Sequence, residues 1–412
     1  MIAEAKEKTP RKAAILFILF TVLLDVLALG MIIPILPKLV ISMVDGDAAT
    51  AARVFGVFGF SWALMQFLSS PVLGALSDRF GRRPIILFSN FALGLNYIFA
   101  ALAPDLISLF ITRLISGVAA ASISTAGAYI SDVTPGPERA AAFGKLGMVF
   151  SIGFIAGPAV SALVGAYDPR LPFWVAACFS LGNGIYGYFV LPESLSPENR
   201  AGFRWRAANA LGAVKFLAVR SGLPLLSVLF FLNSLAHEVL PATFVLYTDY
   251  RYHWDLMQTA MTLCVVGVFG AGVQGFLIKP VIAIWGERTS LVVGLICGAL
   301  GFFLYGLAWT GAWFWYAIPV AALWGLATPA IQAMMTRRVG PDEQGQLQGA
   351  ISALRSIGGL IGPFLFTGIF AWFISDQASI QMPGAGFYLS ALLLSVSLSL
   401  AVWNMGRIMR DA

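Results

Sequence analysis

Long apolar runs, each nearly free of charge, constrain this chain more than any other feature. They lie near 13–37, 53–76, 84–104, 106–131, 142–167, 171–192, 223–247, 257–284, 289–309, 312–335, 345–373 and 384–406. Each reaches the ~20 residues of helix that cross the hydrocarbon core of a bilayer. Only helices and closed barrels satisfy their own backbone hydrogen bonds in lipid, so runs of this length fold as helices. Charged residues make up 11% of the 412, against roughly 25% in a soluble domain. The expected fold is an all-α membrane protein with twelve transmembrane helices, numbered here as spans 1 to 12.

The first run follows Lys6, Lys8, Arg11 and Lys12 and carries no small-residue cleavage site. It reads as a retained span rather than a signal peptide. Cys178, Cys264 and Cys297 all fall inside apolar runs. An odd number without ligand spacing gives no disulfide framework and no metal site, and no cofactor is expected.

The formal net charge of +6 is explained by its distribution along the chain. Alternate loops and ends hold the four tail residues with Arg79, Arg82, Arg83, Arg139, Arg200, Arg204, Arg206, Lys215, Arg220, Arg288, Arg337, Arg338, Arg407 and Arg410. The opposite loops hold only Lys38, Arg53, Arg170 and Arg251. Basic loops stay on the cytoplasmic side, so a multi-pass protein of the inner membrane with both termini cytoplasmic is expected. The basic balance reports topology, and no nucleic-acid partner is implied.

Two echoes divide the chain. "FGRRP" around Gly81 returns as "WGERT" around Gly286, and "GFIAGP" with Gly157 returns as "GGLIGP" with Gly362, both at the same offset (286 − 81 = 205; 362 − 157 = 205). Residues 1–192 and 223–412 are therefore expected as two six-helix bundles, joined by a basic cytoplasmic linker at 193–222. Halves related in this way characterise transporters that bind substrate between them near the bilayer midplane.

The loop between spans 2 and 3 reads "GALSDRFGRRP". A glycine turn with positive-inside arginines accounts for Arg79, Arg82 and Arg83, but not for Asp78. The pattern G-x-L-x-D-R-x-G-R-R, with Gly74, Asp78, Arg79, Gly81 and Arg82, resembles the signature loop of the major facilitator superfamily. Together with "LLDVLALGMIIPILPKL", "GAYISDVTPGPERAAAFG" and "IGPFLFTGIF", it is similar to the tetracycline/proton antiporter branch of the drug:H+ antiporters over almost the whole chain. The resemblance implies a cytoplasmic latch of Asp78, Arg82 and Asp132 against the start of span 11 near "PDEQGQ". It also implies an antiporter helix in span 5, with Gly153, Gly157 and Pro158. The paired glycines that follow in the family are Ser161 and Ala162 here.

Ionisable groups inside spans are costly and mark function by default. Asp25 lies in the middle of span 1, where burial makes its charged form costly and suits it to reversible protonation; it is either that or a structural partner for a polar neighbour. Arg113 in span 4 matches a family arginine linked to proton coupling, or it is a structural cation. Gln66 and Gln274 match family positions that touch drug or neighbouring helices, and both also suit interhelical amides. The family's acid in span 3 is Asn96 here, its span 9 acid falls at Gly298, and its span 8 histidine at Gly270. These departures count against tetracycline itself. In exchange the chain has His237 and Glu238 in span 7 and Arg355 in span 11. Glu238 could be a second protonatable acid beside His237, a residue type that titrates near neutral pH, with Arg355 as partner or substrate anchor. The pair could equally sit wetted at the outer end of its span.

No G-x-x-x-x-G-K-[ST] motif occurs, so transport would run on an ion gradient. The expected function is a proton-coupled efflux antiporter of amphipathic organic compounds, a monomer whose partners are a small-molecule substrate, protons and the lipid bilayer. The alternative is a proton-coupled importer of an organic solute, anionic or peptide-like. With only two histidines and no nucleophile or metal set, an enzyme is not expected.

Overall fold

The computed structural model describes residues 2–120, 122–134, 139–196, 198, 200, 217–218, 222–340 and 343–404. Most of the expected linker 193–222 lies outside the described residues, as do Pro341 and Asp342 before span 11. So do Arg204, Arg206, Lys215, Arg220, Arg407 and Arg410, and the side chains of Lys6, Lys8, Arg11, Lys12 and Arg139.

Among the described residues there is no strand. Span 1 is Ile2–Met43, span 2 Ala48–Phe80 and span 3 Arg82–Leu102. Span 4 runs through Leu106–Ala119 and Ser122–Val133, span 5 is Arg139–Gly165 and span 6 Leu171–Val190. Span 7 is Leu223–His237 and Val239–Tyr252. Spans 8 and 9 run through Leu256–Gly272, Val273–Leu277 and Ile278–Leu307, and they separate at Gly286, whose φ of 75° and ψ of 168° turn the chain. Span 10 is Gly311–Ala322, Leu323–Leu326 and Ala327–Thr336, span 11 Gln344–Ile374 and span 12 Ala385–Trp403. The twelve expected spans are all present.

Helix ends follow local chemistry. Asp105 caps span 4 by accepting from the Ser108 N–H at 2.8 Å, while Ser108 Oγ accepts from the Asp105 N–H at 3.3 Å. This reciprocal box satisfies two otherwise orphaned donors. The bonds from Ser108 hold the exposed Asp105 carboxyl below its ordinary pKa.

Three helix irregularities lie beside prolines. Pro241 has no N–H to give the His237 carbonyl four residues back. Span 7 therefore breaks at Glu238, whose N–H tightens onto Leu235 O at 3.1 Å before the helix resumes with Ala242 N–H to Glu238 O at 3.1 Å. Pro329 likewise leaves Gly325 O without its helical donor, and span 10 tightens into a 3-10 turn over Leu323–Leu326. Pro280 follows a π turn over Val273–Leu277 in span 8. Irregular backbone at membrane depth is tolerated where it is buried in protein or lines a cavity.

The chain divides into two compact units. One holds the described residues of Met1–Leu39, Ser61–Ala208 and Leu256–Cys264, and the other those of Val40–Phe60, Asn209–Asp255 and Val265–Ala412. In the first, spans 1 and 5 meet backbone to backbone: a Cβ on Gly157 would come within 2.7 Å of Gly30 Cα, and one on Gly153 within 2.8 Å of Val26 Cβ. In the second, a Cβ on Gly301 would meet Ala321 Cα at 2.5 Å, closing span 9 on span 10. Lipid tails give no hydrophobic drive for helices to associate, so small residues that permit such approach hold the spans together. Large apolar side chains such as Ile107, Phe189, Phe276 and Leu163 are correspondingly left exposed.

Replacing Gly157 by Leu should force spans 1 and 5 apart, at the about 1–3 kcal/mol typical of overpacking. The expected result is a lowered thermal unfolding midpoint of the detergent-solubilised protein. An unchanged midpoint would show that the contact does not hold the spans.

Candidate functional site

In the first unit, span 2 ends at Phe80 and span 3 begins at Arg82. The turn between them is Gly81, whose φ of 107° is a conformation that side-chain-bearing residues rarely adopt. This turn swings Arg82 back over span 2. Its Nη1 donates to Asp78 Oδ1 at 2.5 Å and to Ser77 Oγ at 2.7 Å, and its Nε donates to Asp132 Oδ2 at the end of span 4 at 3.1 Å. Ser77 Oγ in turn donates to Gly74 O at 2.9 Å. The side chain of Arg82 is 11% exposed, and charge-assisted bonds are stronger than neutral ones in such a setting. The expected trio of Asp78, Arg82 and Asp132 is thus assembled.

Arg79, expected with them, lies instead over the Phe80 ring at 5.2 Å. Glu193, just past span 6, takes part although no motif marks it. It accepts from the backbone N–H groups of Arg82 at 2.8 Å and Arg83 at 3.2 Å. These are the free donors at the start of span 3, a favourable place for a carboxylate. Ser194 Oγ adds a bond to Asp132 Oδ2 at 3.0 Å.

The second unit carries a counterpart. The offset of 205 takes Gly81 to Gly286, Arg82 to Glu287 and Asp132 to Arg337. Gly286 also has positive φ, and Arg337 Nη2 meets Glu287 Oε1 at 2.7 Å. The same geometry is kept with the charges exchanged.

Deeper in the first unit, Asp25 is buried and does not stand alone. Asn183 Nδ2 of span 6 donates to Asp25 Oδ1 at 2.9 Å and to Thr21 O at 2.9 Å. The amide of Asn90 in span 3, oriented as the network favours, donates to Asp25 Oδ1 at 2.7 Å and Oδ2 at 3.2 Å. Tyr97, also buried in span 3, is within electrostatic reach of both Asp25 and Arg113. Arg113 lies over the Trp62 ring of span 2 at 5.6 Å, within the range of a cation–π contact. Gln66 is half-buried one turn along from Trp62. Asn96 is buried on span 3, its Oδ1 without a partner among the described residues.

In the second unit the interrupted helices gather the remaining candidates. His237 is exposed, with its ring 5.5 Å from that of Trp324 and tilted by 30°. Trp324 Nε1 donates to Asn233 Oδ1 at 2.6 Å, and Asn233 Nδ2 donates to Thr328 Oγ1 at 2.8 Å. The half-buried Glu238 leans on span 11, where a Cβ on Gly362 would come within 2.6 Å of its Cγ. Arg355 Cζ lies 5.9 Å from the Phe230 ring centre, within electrostatic reach of His237 and Glu238. Gln274 is exposed in the π turn of span 8. A side chain on Gly298 would meet Trp324 Cδ1 at 2.6 Å and Leu394 Cδ1 at 2.8 Å. The place of the family's span 9 acid is therefore filled by Trp324. Among the described residues no cluster of His, Cys, Asp or Glu suits a metal.

The contacts also relate the halves more finely than the sequence does. Gly153 approaches Leu27 N and Gly157 approaches Gly30, while Gly358 approaches Leu235 N and Gly362 approaches Glu238. Spans 5 and 11 correspond at 205, but spans 1 and 7 correspond at 208 (235 − 27; 238 − 30). In this register Asn233 stands where Asp25 does, and Glu238 stands where span 1 has Gly30.

Residues 16–363 match the Major Facilitator Superfamily. The chain is 36% identical over 383 residues to the class C tetracycline resistance protein of Escherichia coli, covering 92% of this chain and 95% of that one. Its fold is that of the human organic anion transporter MFSD10 (TETRAN), with a TM-score of 0.71 at 22% identity over 95% of this chain and 99% of that one. The nucleoside transporter NupG aligns with a TM-score of 0.74 at 15% identity, over 96% and 98% of the two chains.

Arg337→Glu should set two acids together and lower the thermal midpoint by a few degrees, since Arg337 is exposed but Glu287 is largely buried and the pair contributes on the order of 1 kcal/mol. The exchange of both, Glu287→Arg with Arg337→Glu, should recover most of that loss. A double variant no better than the single would show that the pair does not orient these helix ends.

Proposed function

Because the chain belongs to the Major Facilitator Superfamily, we propose that it is a proton-coupled exporter of amphipathic organic compounds working by alternating access. It is a multi-pass membrane transporter and not an enzyme. In this reading it acts as a monomer in the inner membrane, with both termini cytoplasmic and six-helix bundles of residues 1–192 and 223–412 joined through 193–222. It needs no cofactor.

The observation that carries the reading is a carboxylate within the spans of each unit, beside the close contact of spans 1 and 5 or of spans 7 and 11. Asn90 and Asn183 satisfy the ionised form of Asp25. A shift of span 3 or span 6 that withdraws these amides leaves a buried charge, and proton uptake relieves its cost. A proton then biases the two conformations differently, which is all that coupling requires. The Asp78, Arg82 and Asp132 cluster is the latch that one conformation makes and the other breaks.

Tetracycline is not the substrate favoured. Asn96 and Gly270 replace the family's ionisable groups, and Trp324 and Leu394 close on Gly298. A second reading, a proton-coupled importer of an anionic solute, rests on Arg113 and Arg355, neither of which forms an ion pair within 4.0 Å among the described residues.

Efflux-deficient bacteria expressing the wild type should resist some members of a broad panel of amphipathic compounds. Asp25→Asn should abolish that resistance at unchanged membrane expression. Sensitivity equal to or above that of the empty vector across the panel would overturn the exporter and favour the importer. Asp78→Asn should also abolish transport while expressing near wild type, and normal transport by it would remove the latch.

A further inference from the structure

Arg355, Gly359 and Gly362 follow one another at four and three residues, so they share one face of span 11. Glu238 lies on that face. Its Cγ packs at Gly362, and its Oε1 would be 3.9 Å from a Cβ on Gly359. The carboxylate therefore points along span 11 towards Arg355, one helical turn or about 6 Å beyond Gly359. The glycines at 358, 359 and 362 leave this strip bare of side chains. Among the described residues no ion pair joins Glu238 to Arg355, although each lies in the other's field. Arg355 is exposed, with its guanidinium turned to Phe230.

An aromatic wall flanks the strip. Phe230, Asn233 and His237 fall on one face of span 7, and His237 packs on Trp324. Trp324 is fixed in turn by Asn233, whose amide donates to Thr328 Oγ1. Spans 10 and 12, which pack on span 7, bring no acid, arginine, lysine or histidine. Among the described residues the charge that acts on Glu238 is Arg355, and its titratable neighbour in the chain is His237. Two opposite charges held apart over a bare strip, beside fixed rings, complement a ligand that carries both charges on an aromatic body.

We propose that the second unit binds zwitterionic aromatic compounds here, with a ligand ammonium on Glu238, a ligand carboxylate on Arg355 and the ring system against His237 and Trp324. The inference deepens the exporter reading and rests on it for direction. An ammonium needs Glu238 ionised, so proton and substrate compete for one carboxylate. Each leaves only when the other can arrive, which is antiport by exclusion. A purely anionic ligand would instead draw Arg355 away from Glu238 and favour a proton bound beside it, which is symport. The site therefore ties the sign of the substrate to the direction of coupling.

The full chain in lipid nanodiscs should be titrated with 6-(aminomethyl)-2-naphthoic acid, its methyl ester and its N-acetyl derivative, using naphthalene fluorescence. The wild type should bind the zwitterion about tenfold more tightly than either capped compound, the factor that about 1.4 kcal/mol gives. Glu238→Gln should reduce the zwitterion to the affinity of the N-acetyl compound and remove the weakening of binding at low pH. Arg355→Gln should reduce it to that of the ester. Wild-type affinities within about twofold of one another would overturn the site whether or not either variant folds. A Glu238→Gln protein that keeps the wild-type preference would overturn it as well. The two readings separate cleanly: this preference without any resistance in cells leaves the site and removes the exporter, whereas resistance without the preference does the reverse.

Discussion

Inside a bilayer every backbone carbonyl must find its donor within the protein, and the rest of this fold follows from that requirement. Twelve helices satisfy it almost everywhere. Two of its interruptions lie where proline withholds a donor: Pro241 breaks span 7 at His237 and Glu238, and Pro329 follows the tightened turn of span 10 that presents Trp324. The side chains left over irregular backbone are among the chemically versatile ones of the second unit. In lipid, the position of a break is also the position where polar groups can be tolerated, and in the second unit the breaks beside Pro241 and Pro329 coincide with His237, Glu238 and Trp324.

Close approach is the second constraint. Gly30, Gly153 and Gly157 bring spans 1 and 5 into backbone contact. In the related contact of spans 7 and 11, Glu238 occupies the space that Gly30 leaves in the first unit. One half closes tightly around a glycine, and its duplicate opens enough to seat a carboxylate. Asp25 and Asn233, which correspond in the same register, have diverged in a complementary way. The first is an acid held by two amides, and the second is an amide that holds a tryptophan. The halves share a scaffold and divide the chemistry between them.

Much of this was legible in the sequence. Span number and the glycine turns at 81 and 286 follow from apolar run length and from a repeated short motif. The Arg82 cluster was legible because its loop resembles a known signature. What escaped were partners chosen by the rotation of one helix against another. Asn90 and Asn183 belong to no motif and carry no charge to single them out, yet both face Asp25. Glu193 looked like a boundary, although its reach across the Gly81 turn makes it a ligand for the N–H groups of span 3. Arg79 shared a motif with Arg82 but follows Asp78 directly on span 2, and adjacent helical residues project about 100° apart, so Arg79 leaves the face onto which Arg82 folds back and lies over Phe80. The correspondence of spans 1 and 7 was hidden because their register slipped by three residues relative to spans 5 and 11, so no single offset aligns the two halves.

The exchanged charges at the Gly81 and Gly286 turns bear on how a duplicated chain avoids confusing its own copies. Arg82 pairs with Asp132, and Glu287 pairs with Arg337. Had both halves kept the same signs, the end of span 10 could have closed on the turn before span 3 as readily as on its own. With the signs reversed, a crossed assembly would set Arg82 against Arg337 and Asp132 against Glu287. Like charges repel in each crossed pair, a penalty that specific partners use against wrong ones. As the chain enters the membrane segment by segment, that polarity sorts each turn to the helix of its own half.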